Sequence, residues 1–314
     1  MNRKYRLFIV LLLCLSGLVL ILYLCLYCHL NKNTETAPAH RITAILNSED
    51  NLFWGGVWKN LRTTAAKCHL DISEYQLTLS ESVNDYLEIA LETGTDGIIF
   101  NPSSIFDDNT RQLLQKAHGA GMALISLDSR YSDVPAFYIG IDNAAASRSI
   151  TDYITERIQE EHIFLISNYI NYSNPLNIRF HTIQELLAAS GYQNRMEILR
   201  LPQDNTEIRE YLNQQLTDFD GSAYIVAIGP QQTLITARLR AQMDDSSRFH
   251  LIGFGETDEA FSFLDAGMIE ALLVQDNHQL GTLAAEYMEK LLNGTVSVPG
   301  SASVSHTLRL KEET

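Results

Sequence analysis

Arg41-Ile-Thr-Ala-Ile-Leu-Asn47, followed by Ser48-Glu-Asp-Asn-Leu-Phe-Trp-Gly-Gly56, is the stretch that decides the fold. The first part is a short apolar run rich in β-branched residues, which predicts a buried strand. The second part breaks this run and leads into a helix-like segment that ends near Cys68. A buried parallel strand followed directly by a helix places the connecting loop at the carboxyl edge of the sheet, where open α/β sheets bind ligands.

This first loop carries two adjacent aromatic residues, Phe53 and Trp54, beside the polar residues Asp50 and Asn51. Aromatic faces next to fixed polar groups suit a small polar ligand with apolar ring faces, such as a sugar. The alternative is that Phe53 and Trp54 belong to the core under the first helix, which is the usual place for large aromatic side chains.

The rest of the chain alternates apolar runs with amphipathic, helix-like stretches, several of which end at a glycine such as Gly94. Strands alternating with helices predict βαβ units and parallel sheets. The number of strands suggests two sheets, the first ending near residue 142 and the second beginning at His162. The predicted strands are 41–47, 70–76, 96–100, 122–127, 137–141, 162–167, 195–200, 222–228, 249–254 and 270–275.

The N-terminus, residues 1–30, contains an apolar segment over residues 7–30 that is long enough to cross a bilayer as a helix. Arg3, Lys4 and Arg6 precede it, which predicts a cytoplasmic N-terminus and an extracytoplasmic C-terminal part. We therefore expect a single membrane anchor, followed by a polar linker over residues 31–40. A cleaved signal peptide is the alternative.

The overall charge excludes several classes of partner. The formal net charge is −15, and the part beyond the basic N-terminus is more acidic still. So acidic a surface argues against binding nucleic acid or anionic lipid headgroups.

Cofactor and catalytic motifs are missing from the outer part of the chain. Cys25-Leu-Tyr-Cys28-His29 matches the pattern for attaching c-type haem, but it lies at the end of the apolar segment, and we interpret it as a chance match. Cys68 is the only cysteine in the outer part, so an intramolecular disulfide is excluded there. No hydrolase, metalloprotease or phosphate-loop motif is present. We predict no enzyme activity, no catalytic residues, no cofactor and no metal.

A series of motifs in order makes the outer region resemble the type I periplasmic binding proteins. This is the ribose- and galactose-binding group, whose fold also forms the sensor core of LacI-type repressors. The resemblance covers about residues 41–310. The motifs that carry it are Asp50-Asn-Leu-Phe-Trp54, Gly94-Thr-Asp-Gly-Ile-Ile-Phe-Asn-Pro102, Ala117-His-Gly-Ala-Gly-Met-Ala-Leu-Ile-Ser-Leu-Asp128, Tyr138-Ile-Gly-Ile-Asp-Asn143, Leu251-Ile-Gly-Phe254, Ala266-Gly-Met-Ile-Glu-Ala271 and Val274-Gln-Asp-Asn-His-Gln-Leu-Gly281.

The resemblance implies an α/β fold of two Rossmann-like lobes with parallel sheets, joined by a multi-strand hinge and preceded here by the N-terminal transmembrane helix. The N-terminal lobe is expected over residues 41–142 plus about 276–303. The C-terminal lobe is expected over residues 143–275 plus about 304–310. A ligand that contacts both lobes favours the closed state of such a protein.

The resemblance also implies a set of ligand-binding positions: Asn51, Phe53, Trp54, Asn101, Asp128, Arg179 and Gln275. Alternatives from the residues themselves stay open for most of them. Asp128 is equally suited to a turn or helix cap, and Asn101 to a plain turn. Arg179 fits an exposed helix surface, and Gln275 fits a structural role in the hinge.

The chain departs from the family pattern in the second lobe. Gly229-Pro230 stands where the family has a polar Asn-Asp pair, and Gly255 stands where it has an aspartate. Glu256, one position later, is the expected substitute for the aspartate, and Gln231 is the candidate substitute for the polar pair. These changes leave the ligand's identity open.

The resulting prediction is a membrane-anchored extracytoplasmic solute-binding protein. It captures a small polar ligand, expected to be a sugar, in the cleft between the lobes. Its membrane partner is expected to be an ABC permease or a sensor histidine kinase. The alternative is a degenerate binding-protein scaffold that acts through protein–protein contacts without a small-molecule ligand.

Overall fold

The computed structural model describes residues 15–26, 40–48, 52–78, 82–102, 107–167, 174–202 and 205–311. The chain divides into two compact units, Met1–Ala39 and His40–Thr314. In the first unit, residues 15–26 form helix α1, and the rest of the predicted anchor lies outside the described residues. Across the described ranges, no helix combines the length and apolar character needed to span a bilayer.

The second unit alternates strands and helices. Its elements are β1 His40–Asn47, α2 Leu52–Lys67, β2 Leu70–Leu77, α3 Val83–Thr93, β3 Gly97–Phe100, α4 Asp108–Gly119, β4 Ala123–Leu127, β5 Phe137–Gly140, α5 Asn143–Thr155, β6 His162–Ser167, α6 Asn174–Ala189, β7 Met196–Arg200, α7 Asn205–Asp218, β8 Ala223–Ala227, α8 Pro230–Arg240, β9 Phe249–Phe254, α9 Asp258–Asp265, β10 Ala271–Gln275, α10 Asn277–Leu292, β11 Gly300–Ser303 and β12 His306–Leu310. The ten predicted strands are confirmed, with ends that shift by at most one residue.

The strands form two six-stranded sheets. The first has the order β11-β5-β4-β3-β1-β2 with all strands parallel, and the second has the order β12-β10-β9-β8-β6-β7 with β12 antiparallel. Parallel sheets are covered by helices on both faces, so their strands are continuously apolar. β3, for example, is Gly-Ile-Ile-Phe and is buried along its whole length. We refer to each sheet with its helices as the first and the second lobe.

The chain passes between the lobes three times, at residues 141–142, 275–276 and 304–305. These crossings are hydrogen-bonded to their neighbours: the Val304 amide donates to the Gly140 carbonyl (3.0 Å), and the Asp276 amide donates to the Ser305 carbonyl (3.1 Å). β11 was not predicted, because Gly-Ser-Ala-Ser lacks the apolar, β-branched residues that indicate a strand.

Candidate functional site

Two of the crossings have the same local structure. In each, an aspartate, Asp142 or Asp276, lies between a strand and the next helix, and its carboxylate accepts a hydrogen bond from the backbone of that helix's first turn (2.8 Å in both). An aspartate at this position satisfies an amide that the helix cannot pair itself. Both crossings therefore begin a capped helix at the edge of the sheets where the two lobes face each other.

Asp128 follows β4 at the carboxyl edge of the first sheet. Its φ of 65° is left-handed, which aspartate tolerates better than most residues. Gln275, at the end of β10 in the second sheet, donates from Nε2 to Oδ1 of Asp128 (3.2 Å). Burial raises the pKa of Asp128, while the charge of Arg179 and the bond from Gln275 act in the opposite direction. The structure thus places a half-buried carboxylate at the contact between the lobes.

Arg179, in α6 of the second lobe, is only 7% exposed. Its Nε donates to Oδ1 of Asn143 (2.7 Å), Nη1 donates to the Ile228 carbonyl (3.3 Å), and the guanidinium lies 4.4 Å from the ring centre of Phe254. Burial lowers the pKa of Arg179 to about 10, which leaves it charged at neutral pH. The charges of Arg179 and Asp128 attract each other without a direct ion pair in the part of the chain that the structure describes. The surface-helix alternative for Arg179 is therefore wrong.

Phe53 and Trp54 lie in the first turn of α2 and not in the loop predicted before it, because the helix begins at Leu52. The two aromatic side chains are divided between the core and its margin. Trp54 is 4% exposed and belongs to the main hydrophobic cluster, whereas Phe53 is half-buried and packs edge-to-face against it, with 5.3 Å between ring centres. For Trp54 this burial supports the core alternative. Asn51, also predicted to bind ligand, lies outside the described residues.

Asn101 is fully buried at the end of β3. Its Nδ2 donates to the Leu127 carbonyl (2.8 Å), and its backbone amide donates to the Ile45 carbonyl (3.2 Å). The side chain links the ends of neighbouring strands in the interior, which supports a structural role rather than direct contact with a ligand.

The two proposed substitutes in the second lobe have different surroundings. Glu256 is half-buried, and its carboxylate accepts a hydrogen bond from the Asn277 amide at the start of α10. Burial raises the pKa of Glu256. Gln231 instead lines a surface groove with Arg209 and Leu234 and is not part of the interlobe cavity that Asp128 lines.

A cavity of about 400 Å³ lies between the lobes. Among the predicted ligand residues that the structure describes, only Asp128 lines it, and its other walls include Arg130, Tyr138, Ser301 and Ser303. The sequence analysis assigned none of these four residues to the ligand site. Arg130, Ser301 and Ser303 lie outside the motifs that carried the resemblance, and Tyr138 begins one of those motifs but was not among the implied ligand positions. Throughout the described part of the chain, no group of three or more histidine, cysteine or acidic side chains is arranged to hold a metal ion.

Residues 42–295 match the model of a family described as the periplasmic binding protein domain. The chain belongs to this family. The predicted type I resemblance is confirmed, and because the family consists of binding proteins, so is the prediction that the chain is not an enzyme. The match also supports an extracytoplasmic location for the binding domain. A comparison with curated protein sequences finds no match.

Solved structures show the same fold at low sequence identity. An ABC-transporter solute-binding protein from Burkholderia graminis, in complex with D-arabinose, is similar with a TM-score of 0.76 and 16% identity, over 88% of this chain and 96% of that one. A solute-binding protein from Agrobacterium vitis with α-D-tagatopyranose gives 0.72 and 18%, over 87% and 95%. XylFII gives 0.71 and 16%, over 87% and 99%, and has also been solved as a complex with LytSN.

Proposed function

We propose that this periplasmic binding protein captures a small polar ligand, a sugar, between its two lobes. The observation that carries the proposal is the meeting of Asp128 from the first lobe with Gln275 and Arg179 from the second. Carboxylate and guanidinium groups form charge-assisted hydrogen bonds with hydroxyls, which are stronger than neutral ones. A ligand bound to both groups contacts both lobes and so favours the closed state.

The site that we propose keeps Asp128, Arg179 and Gln275 as direct contacts, with Phe53 and Glu256 at its margin. Asn51 remains a prediction. The strand membership of the two sheets supports lobe boundaries at 41–142 plus about 276–303 and 143–275 plus about 304–310.

We also propose that the apolar N-terminal segment, residues 7–30, anchors the binding domain to the membrane from outside. The support is its length, its lack of charge and the three basic residues before it. An anchored binding protein presents its closed form to a membrane partner. Structures of this fold include an ABC-transporter component and the XylFII–LytSN complex, which supports either an ABC permease or a sensor histidine kinase as that partner.

A thermal-shift and calorimetric screen tests the ligand proposal. The full chain is kept in a detergent without a sugar headgroup and is titrated with D-arabinose, D-tagatose, D-glucose, D-galactose and a wider panel of polar metabolites. A ligand that binds only the folded protein adds to the free energy of unfolding and so raises Tm. The added free energy is about 2.7 kcal/mol when the ligand is present at 100 times its Kd. We expect one sugar to raise Tm.

The matched variants are Asp128→Asn and Arg179→Met, with Asp108→Asn and Arg238→Gln as controls. Asp128→Asn removes the charge but suits the same left-handed backbone, and Arg179→Met keeps an apolar side chain over Phe254. Asp108 and Arg238 lie in exposed ion pairs, and neither lines the interlobe cavity. Both cleft variants should lose at least tenfold in affinity and both controls should retain it. Unchanged affinity in Asp128→Asn and Arg179→Met would contradict the assignment of these two residues to the ligand site.

The alternative function is a scaffold without a small-molecule ligand. It is favoured by the rim of the second lobe, where Gly229, Pro230 and Gly255 offer only backbone and ring atoms, and a Cβ on Gly255 would lie 3.1 Å from Pro230. The absence of any Tm change across the whole panel is the outcome that supports this alternative.

A further inference from the structure

The interlobe cavity described above has features that a single sugar bound at Asp128 and Arg179 does not use. Arg179 is not part of its lining, whereas Arg130 is. Its walls come from both lobes and from the first crossing: Ser301 and Ser303 on β11, Asp142 at the crossing, and Pro175 and Ile178 in α6. We call this cavity the hinge pocket.

The lining of the hinge pocket combines polar and apolar groups. One oxygen of Asp142 accepts the amide of Ala145 (2.8 Å), which leaves the other to accept from a ligand. The hydroxyls of Ser301 and Ser303 both donate and accept, and Pro175 and Ile178 supply an apolar surface. A few fixed polar groups around apolar walls are typical of a small-molecule site, and 400 Å³ falls within the usual range of such sites.

Asp128 belongs to both regions. Its Oδ1 accepts from Gln275, while its Oδ2 makes no hydrogen bond within the described residues. Arg130, two residues later, places its guanidinium 4.3 Å from the ring centre of Tyr138, on the wall of the pocket. Asp128 is therefore the one residue of the proposed sugar contacts that also lines the hinge pocket, so a ligand bound to its carboxylate lies at the boundary of this pocket.

We propose that the hinge pocket binds the second sugar unit of a disaccharide whose first unit lies against Asp128 and Arg179. This inference rests on the proposed function. Hydroxyls of the second unit bond to Asp142, Ser301 and Ser303, and its C–H faces pack on Pro175 and Ile178. Because the pocket is lined by both lobes, the second unit adds contacts that exist only when the lobes are closed, which shifts the equilibrium further toward the closed state.

Calorimetry on the full chain, in a detergent without a sugar headgroup, tests the inference with D-glucose and D-galactose against cellobiose and lactose. At least one disaccharide should bind ten times more tightly than its component monosaccharides. Ser301→Trp fills the pocket from an exposed edge strand and should remove this advantage while changing the monosaccharide Kd less than twofold. Thr307→Trp, on the exposed edge strand β12 outside the pocket, should leave both affinities unchanged.

Two other results overturn the inference. If no disaccharide binds more tightly than its monosaccharides, or if Ser301→Trp weakens both equally, the hinge pocket does not hold a second unit. Monosaccharide binding that is lost in Asp128→Asn would then still support the proposed function. If neither kind of sugar binds the wild-type chain, the proposed function fails, and this inference fails with it.

Discussion

The two helices that follow the crossings, α5 and α10, begin with the same Asp-Asn sequence but make different contacts in the two lobes. Each begins with Asn after a capping Asp, and each packs on the helix that follows the first strand of its lobe, α5 on α6 and α10 on α2. In the second lobe, Asn143 accepts a hydrogen bond from Arg179 (2.7 Å). In the first lobe, Asn277 reaches only the Phe53 carbonyl (3.3 Å), and its buried Oδ1 has no partner among the described residues.

The two Asn residues differ because α10 packs on α2 and α5 packs on α6, and these two partner helices carry different residues at the contact. Four residues beyond each Asn, Gly281 faces the Val57 carbonyl, whereas Ser147 faces the Arg179 carbonyl. Val57 and Arg179 therefore occupy corresponding positions, the first apolar and the second charged. In the first lobe, Gly281 lets α10 pack closely on α2. In the second lobe, Asn143 at the start of α5 holds the charged side chain of Arg179.

The largest effect is expected from breaking the close packing of the first lobe. A Cβ on Gly281 would lie 2.2 Å from the Val57 carbonyl oxygen and 2.9 Å from the Leu61 nitrogen, both backbone atoms that cannot move aside. Gly281→Ala should lower the free energy of unfolding by about 3 kcal/mol, despite a gain of about 1 kcal/mol in helix propensity. Urea unfolding measures the loss.

Ser147→Ala is the matched control in the second lobe. Its hydroxyl donates to the Asn143 carbonyl (2.8 Å) and lies 3.4 Å from the Arg179 carbonyl. Its loss should cost about 1 kcal/mol, the contribution of an ordinary hydrogen bond. Equal losses in the free energy of unfolding for Gly281→Ala and Ser147→Ala would contradict the closer packing of α10 on α2.

A smaller effect distinguishes the two Asn residues. Asn143→Ala leaves the buried Arg179 guanidinium without its Nε acceptor and should cost about 2 kcal/mol, since bonds to charged groups are the stronger ones. Asn277→Ala removes one long bond together with an oxygen that was already unpaired, so it should cost about 0.5 kcal/mol. Chemical denaturation of the two variants side by side gives both values. A larger loss in Asn277→Ala would reverse the comparison.

The sequence allowed the fold to be predicted better than the site. Short continuous apolar runs identified the buried strands, because their length, their β-branched residues and the turn residues beside them distinguish them from helices. Trp54 could not be placed in the same way, since the face of α2 that is buried depends on α10, more than two hundred residues later in the chain.

The polar residues show the same limit. Asn101 resembled a ligand contact because it follows a strand, yet its amide is used inside the protein on the Leu127 carbonyl. Arg130, Ser301 and Ser303 line one cavity only because the crossings bring β11 beside β5. A side chain's position after a strand predicts which edge it occupies, but its direction depends on packing that the local sequence does not contain.

The two capping aspartates provide a finer comparison. Asp142→Ala should cost about 1 kcal/mol, the usual value for an N-cap. Asp276→Ala should cost less, about 0.5 kcal/mol, because the charge of Asp276 contributes to the raised pKa of Glu256 and its removal relieves that repulsion. Asp276→Asn keeps a capping oxygen without the charge and should leave the Tm unchanged or slightly higher. A fall in Tm equal to that of Asp276→Ala would contradict the repulsion.

The amino edges of the two sheets differ as well. In the second lobe, Nδ1 of His250 lies 2.6 Å from Oε2 of Glu270, and the Tyr153 hydroxyl donates to Oε1 of the same carboxylate (2.8 Å). At the first lobe's amino edge, Asp96 accepts the Arg41 amide (2.7 Å), and its nearest histidine nitrogen is 3.6 Å away. Only the second lobe therefore brings a histidine and a carboxylate into hydrogen-bond contact at this edge within the described residues.

The smallest expected effect is a pH dependence of stability from this pair. The hydrogen bond to Glu270 raises the pKa of His250 above its ordinary 6.5, with Glu161 adding to the rise and burial and Arg240 opposing it. Glu270 is itself buried, which opposes the fall, yet the bonds from His250 and Tyr153 lower its pKa below 4.5. Stability from His250 is fully present below pH 6.5 and is lost as pH rises through its folded pKa. Stability from Glu270 is present above pH 4.5 and is lost as pH falls through its folded pKa.

The pair should therefore stabilise the protein most between about pH 4.5 and 6.5. Since both side chains are about one-third exposed, the effect should not exceed about 1 kcal/mol. Urea unfolding at pH 5.5 and pH 9 should show that His250→Gln and Glu270→Gln each lose more stability at the lower pH. The double variant should lose little more than either single one, because each removes the same interaction. Additive losses at pH 5.5 would mean that the two side chains act separately, and the contrast between the two amino edges would then rest on distance alone.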